Sequence, residues 1–183
     1  MEGNSNDGSG NARDGSDTDI SYIAGRFGKA ASFNGSSSYI ELPANIVPKT
    51  VLLHANFYQV AATAYFLGMV GGSSSGIRYN GSTFLVYTFH SATGFVAVPW
   101  TKVDAMVHFA AVNTSGYLWD IYIEGEKIGT GTSGVGGSLE IGQFGRRDTS
   151  YYFNGPMDEI AFFDRTLTET DIRRVMMGMH PIS

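Results

Sequence analysis

From Ile20 onward, short apolar runs recur every 8 to 14 residues or so, with glycine and serine between them. That spacing is the signature of a β-sandwich or barrel, because each run is long enough for one strand and each interval for one turn. The 24 glycines and 5 prolines, set among Tyr, Phe, Val and Ile, favour many short strands with glycine turns over a helical protein. Strands are expected near 19–23, 29–34, 38–42, 51–60, 64–70, 76–80, 83–89, 106–114, 116–124, 126–130, 138–144 and 157–163. At 183 residues, 43% of them hydrophobic, the chain is long enough for one full domain and short for two, so a single domain over 1–183 is expected.

The clearest local signal is the hairpin GYLWDIYIEGEKIGT. Alternation puts Tyr117, Trp119, Ile121 and Ile123 on one face, as core, and Leu118, Asp120, Tyr122 and Glu124 on the other. Its turn, Glu124-Gly125, wants positive φ at both positions, which glycine adopts freely and glutamate at some cost. A helix is expected at 169–177: Thr168 caps it, Asp171 completes a capping box, Ile172, Val175, Met176 and Met179 form the apolar stripe, and Gly178 stops it. It is expected to plug one end of the sandwich through Ile172, Val175 and Met176.

Charge and composition exclude several classes. Net charge is −5, and the 12 basic residues form no stripe that would neutralise phosphates, which argues against nucleic acid. No apolar run approaches the roughly 20 residues of a membrane span, and the polar N-terminus offers no secretory apolar core. With no cysteine there is neither a disulfide framework nor a thiol nucleophile. Residues 1–19 hold five of the 17 acids and one of the 12 bases and contain nothing that packs.

Catalytic patterns are thin. GTGTSG, at 129–134, matches the glycine spacing of a dinucleotide loop, but the chain continues as strand where a helix N-terminus is required. Asp120 and Glu124 share a strand face about 13 Å apart, wide for a glycosidase pair, and read as solvated strand edge. His54, His90, His108 and His180 are scattered without metal-ligand spacing, and no serine sits in a nucleophile elbow. No enzyme is expected. The loop FGRRDTSYYFNG is different: Arg146, Arg147, Asp148, Tyr151 and Tyr152 combine aromatic platforms with polar groups, as sites for sugar rings require. The plainer alternative is one tyrosine on the core and arginines that keep the surface soluble. Trp100, Arg78 and Tyr79 are weaker candidates of the same kind.

The order of segments then matters. NDGSGNARDGS, IAGRFGKAASFNGSSSYIELP, MVHFAAVN with YLWDIYIEGEKIGTGT, and LEIGQFG with YYFNGPMDEIAFFDRTLTETDI together resemble the concanavalin A-like, laminin-G-like jelly-roll family. The resemblance implies an all-β, two-sheet antiparallel jelly roll with one short C-terminal helix. It also implies a non-catalytic recognition or adhesion module, extracellular or on a virion surface, that binds glycans or a surface protein. The chain departs from the family in lacking an apolar strand ahead of the Asn/Asp-Ser-Gly-Asn loop, which leaves an edge for a neighbour. That departure favours the alternative, a structural virion or assembly component with other subunits as partners. In such domains calcium often ties that loop to the Asp of the closing strand, which maps here onto Asp7, Asn11 and Asp158, with Glu159 facing solvent.

Overall fold

The computed structural model describes residues 2–56, 63–71, 75–80, 83–87, 95–99, 105–133 and 138–182. They form strands β1 (Ser16–Thr18), β2 (Ser21–Ala24), β3 (Lys29–Asn34), β4 (Tyr39–Ile46), β5 (Thr50–Ala55), β6 (Ala64–Gly68), β7 (Gly76–Tyr79), β8 (Thr83–Tyr87), β9 (Phe95–Pro99), β10 (Val107–Ser115), β11 (Leu118–Ile123), β12 (Glu126–Thr132), β13 (Ile141–Phe144) and β14 (Asn154–Phe163), then helix α1 (Glu169–Met176). One sheet has the order β1-β4-β13-β6-β7-β8-β9 and the other β12-β11-β10-β5-β14-β3-β2. Neighbouring strands run antiparallel throughout, and the two sheets stack as the expected jelly-roll sandwich. Ile40, Phe66, Ile77 and Phe144 of the first sheet meet Val51, Leu53, Phe109 and Trp119 of the second across a common core.

Most strands fall where alternation places them. β1 escapes sequence reading because Ser-Asp-Thr is polar and three residues long; it forms by pairing Ser16 with Glu41 and Thr18 with Tyr39. β9 follows its partner β8 and lies where no strand is expected. Trp100, His90 and the distal ends of the expected strands 51–60 and 83–89 lie outside the described residues.

The β11–β12 turn adopts the expected geometry, with φ of 52° at Glu124 and 74° at Gly125. The unfavourable conformation at Glu124 is held by β10: its N–H donates to the His108 carbonyl at 2.9 Å, and its Oε1 accepts the His108 N–H at 2.7 Å. Trp119, Ile121 and Ile123 are buried, while Tyr117 is 38% exposed because it sits in the preceding turn rather than on the strand.

Thr168 and Asp171 close the capping box of α1. At the other end Met179 N–H reaches the Arg174 carbonyl, Gly178 N–H reaches that of Val175, and Gly178 takes φ of 76°, a Schellman stop. The helix does not plug an end. Ile172 and Val175, with Leu167, cover Leu52, Ala110, Val112 and Tyr122, which project from the outward face of the second sheet. Met176 is only half-buried, and Met179 is 40% exposed.

Beside the helix, the same outward face carries His54 and His108, directly opposed on β5 and β10 with ring centroids 4.9 Å apart. Both are buried and in contact, so these two rings are not scattered. Phe27 packs edge-on to His54, and Arg26, Glu124 and Asp158 are the charged groups around it. Burial lowers the His54 pKa to about 4, and burial with the neighbouring His54 lowers that of His108 to about 3, from an ordinary 6.5. The folded state therefore binds fewer protons than the unfolded chain between those values. The pair's contribution to stability is complete above about pH 6.5 and is lost as pH falls through the folded values. Thermal midpoints are expected to drop by several degrees between pH 7 and pH 4.5, with a flatter slope in His108→Leu; an unchanged slope would assign the acid sensitivity elsewhere.

Candidate functional site

α1 and the Arg26–Phe27 turn cover part of the outward face of the second sheet; the outward face of the first carries polar and aromatic side chains. Alternation across Ile40, Phe66 and Ile77 in the core turns Tyr39 and Glu41 of β4, Tyr65 of β6 and Arg78 of β7 outward, and Gln143 of β13 stands opposite Glu41. After β13 the chain folds back over this face. It can do so because Gly68 has no side chain; a Cβ there would collide with the Arg146 carbonyl oxygen.

The loop is short and rigidly tied. Arg147 and Ser150 exchange both backbone hydrogen bonds at 3.1 Å around Asp148 and Thr149. Asp148 and Tyr151 take φ of 56° and 59°, a conformation that costs a non-glycine residue about 1–2 kcal/mol. Tyr65 N–H donates to the Tyr151 carbonyl at 3.0 Å, anchoring the far end to β6. The strained backbone thereby turns Tyr151 toward Tyr65, ring centroids 5.9 Å apart.

Two guanidinium groups complete the surface in different ways. Arg146 is 9% exposed; its guanidinium lies 3.2 Å from the Tyr39 ring centroid, and Nη2 is 3.3 Å from Glu41 Oε2. Gln143 Nε2 donates to the same Glu41 oxygen at 3.0 Å. Arg146 is thus a supporting member that fixes Tyr39 and Glu41. Arg147 is half-buried, 4.9 Å from the Tyr65 ring and 4.8 Å from that of Tyr151, and donates from Nη1 to the Tyr65 hydroxyl at 3.0 Å. Arg78 lies 5.9 Å from the Tyr65 ring.

Of the five loop residues expected from the sequence, Arg147 and Tyr151 form one stack and Arg146 supports its neighbours. Asp148 is exposed at the tip, and Tyr152 is half-buried. Arg78 joins the site, whereas Tyr79, 1% exposed, belongs to the core. Tyr39, Glu41, Tyr65 and Gln143 were not singled out from the sequence. Their alternation marks an outward face, and only the returning loop makes that face a site.

The residues expected to hold calcium have other partners. Asp158 is fully buried; its Oδ2 accepts N–H groups of Arg26 and Phe27 at 2.8 and 3.2 Å, and its Oδ1 accepts that of Glu159 at 2.9 Å. Asp7 accepts from the Ser9 N–H and hydroxyl and from the Arg13 N–H, and Asn11 donates to the Ser9 hydroxyl. Those bonds hold Asp7 below the usual carboxylate range, the Ser9 hydroxyl contributing most. Among the described residues no three His, Cys, Asp or Glu side chains come together to hold a metal ion. Three N–H donors thus converge on the Asp158 carboxylate.

Asp120 also departs from expectation. It is 7% exposed, accepts from the Thr130 hydroxyl at 2.5 Å and pairs with Lys127 at 2.7 Å, so it is a bonded sheet residue rather than a solvated edge.

Comparison with known proteins supplies the family. No curated protein sequence matches the chain. Among solved structures, domain 4 of an extracellular arabinanase from Geobacillus stearothermophilus, in complex with arabinotriose, superposes with TM-score 0.75 at 20% identity, over 94% of this chain and 92% of that one. A botulinum neurotoxin type C structure, described through the dependence of cell entry on two ganglioside molecules, gives 0.68 at 13% identity, over 94% and 48%. A Trypanosoma rangeli sialidase bound to the inhibitor DANA gives 0.62 at 13% identity, over 89% and 29%. The chain thus spans about half of the toxin structure and less than a third of the sialidase. Identities this low establish a shared fold and leave function to the site. A family model matches residues 34–173, and the chain belongs to the concanavalin A-like lectin/glucanases superfamily.

Proposed function

We propose that the chain is a non-catalytic glycan-binding module that works outside the cell, reading sugar through the outward face of the first sheet. The observation that carries this reading is the stack of Tyr65, Arg147 and Tyr151, with Tyr151 44% exposed at its outer edge and the Glu41–Gln143–Arg146 cluster alongside. A pyranose or furanose ring offers an apolar face to an aromatic ring and hydroxyls to the flanking donors and acceptors. The arabinotriose in the arabinanase domain and the gangliosides of the toxin support the same ligand class.

Binding without chemistry fits the carboxylates. Glycoside hydrolysis generally uses two of them flanking the bond. Here Glu41 is held by Arg146 and Gln143, Asp120 by Lys127 and Thr130, and Glu124 by the His108 amide. Among the described residues no helix is long and apolar enough to cross a membrane.

A glycan array followed by calorimetry on the best hit tests the reading. An aromatic contact contributes about 0.5–1.5 kcal/mol beyond burial, so Tyr151→Ala should weaken binding several-fold while leaving the melting temperature within a degree or two. Absence of saturable binding to any glycan would end the proposal. We infer further that neither folding nor binding needs calcium, because the N-terminal loop and Asp158 are satisfied by protein donors. Melting midpoints in calcium and in chelator should coincide; a calcium-dependent rise of several degrees, lost in Asp158→Ala, would restore the tie through Asp7, Asn11 and Asp158.

A further inference from the structure

The charge of this face points to one class of sugar. Arg147 is half-buried, yet among the described residues it has no carboxylate partner: the ion pairs link Lys127 with Asp120, Arg146 with Glu41, and Arg173 with Glu169. The adjacent Asp148 is exposed and is not among these pairs. Among the described residues only Nη1 of Arg147 is bonded, to the Tyr65 hydroxyl, and none of its nitrogens is buried without a partner, so its remaining donors are open to solvent. The two tyrosine rings, 4.9 and 4.8 Å from its guanidinium carbon, hold the group flat and partly dehydrated. A planar cation fixed in this way, with its fork turned outward, matches a planar carboxylate, which it meets with two parallel hydrogen bonds. Glu41, the carboxylate bonded on this face, is already paired with Arg146.

We propose that the glycan is acidic: a carboxylate-bearing sugar pairs with Arg147 while its ring lies against Tyr151. This rests on the reading of the same face as a glycan site and adds the substrate class. The geometry also assigns distinct roles. Arg147 selects for charge, Tyr151 supplies ring contact whatever the charge, and Arg146, spent on Glu41 and Tyr39, contributes position. Because the guanidinium is only half-buried, the attraction to carboxylate is screened by salt.

Polygalacturonate and its fully methyl-esterified form present one backbone with and without carboxylate, and affinity electrophoresis or calorimetry compares them directly. The intact chain should bind the acid at least tenfold more tightly than the ester, with the preference shrinking between 50 and 500 mM salt. Arg147→Gln should lose the preference, weakening binding of the acid far more than that of the ester; Arg147→Lys, which retains charge and loses the fork, should fall between. Equal binding of acid and ester, or a preference that survives Arg147→Gln in a folded protein, overturns the proposal while glycan binding stands. If polygalacturonate, alginate and hyaluronan all fail, binding of neutral arabinan would leave the broader reading intact and the acidic class refuted. Failure of every saccharide refutes both.

Discussion

The carboxylate of Asp158 sits with no solvent exposure on β14 and gathers backbone N–H groups from Arg26, Phe27 and Glu159. Burying a carboxylate is expensive unless each oxygen is bonded, and here the bonds also dictate the surrounding chain. Gly25 must be glycine, since a Cβ would collide with Asp158 Oδ2. Glu159 takes φ of 49°, and β14 carries one extra residue between its pairings Asp158 with His54 and Ala161 with Leu52. The Arg26–Phe27 turn is thereby pinned over the outward face of the second sheet, where Phe27 covers His54 and reaches the helix stop at Gly178. Beneath it the two histidine rings are dry, which is why they favour the neutral form.

That clamp, together with α1, divides the molecule. One outward face is closed by Leu167, Ile172, Val175 and Phe27, which enclose aliphatic side chains, Tyr122 and the two histidines. The other is floored by Tyr39, Glu41, Tyr65, Arg78 and Gln143 and crossed by one short, hydrogen-bonded loop. Tyr65, Gln143 and Arg146 are buried beneath the loop, while cation–π contacts order Tyr151 and Arg147, which keep a ring edge and donors facing water. A recognition surface needs that combination: side chains already ordered, so that little rotamer freedom is lost on binding, and polar capacity still open to a ligand.

Non-glycine residues in left-handed conformation mark where tertiary bonds override local preference. Glu124 is held there by the backbone and carboxylate bonds to His108, and Tyr151 by the bridge at Arg147–Ser150 and the bond to Tyr65. In both cases the local cost is met by a partner distant in sequence, and in the second the outcome is a tyrosine placed on the face of an arginine.

The all-β class, nearly all the strands, the Glu124-Gly125 turn and both ends of α1 are legible in the residues alone, because they depend on positions close together in the chain: alternation, a capping box, a glycine after the last turn. The sequence also marked the Arg146–Tyr152 loop, since arginines and tyrosines crowded between two apolar strands stand out by composition. Packing of the whole fold puts α1 on a sheet face instead of an end, buries His54 and His108 together, and brings Asp158 to backbone N–H groups of a turn more than a hundred residues away. It alone brought Tyr39, Glu41, Tyr65 and Gln143 to the loop. Strand order and the side on which a loop returns are set by packing across the whole sandwich, and no local pattern encodes them.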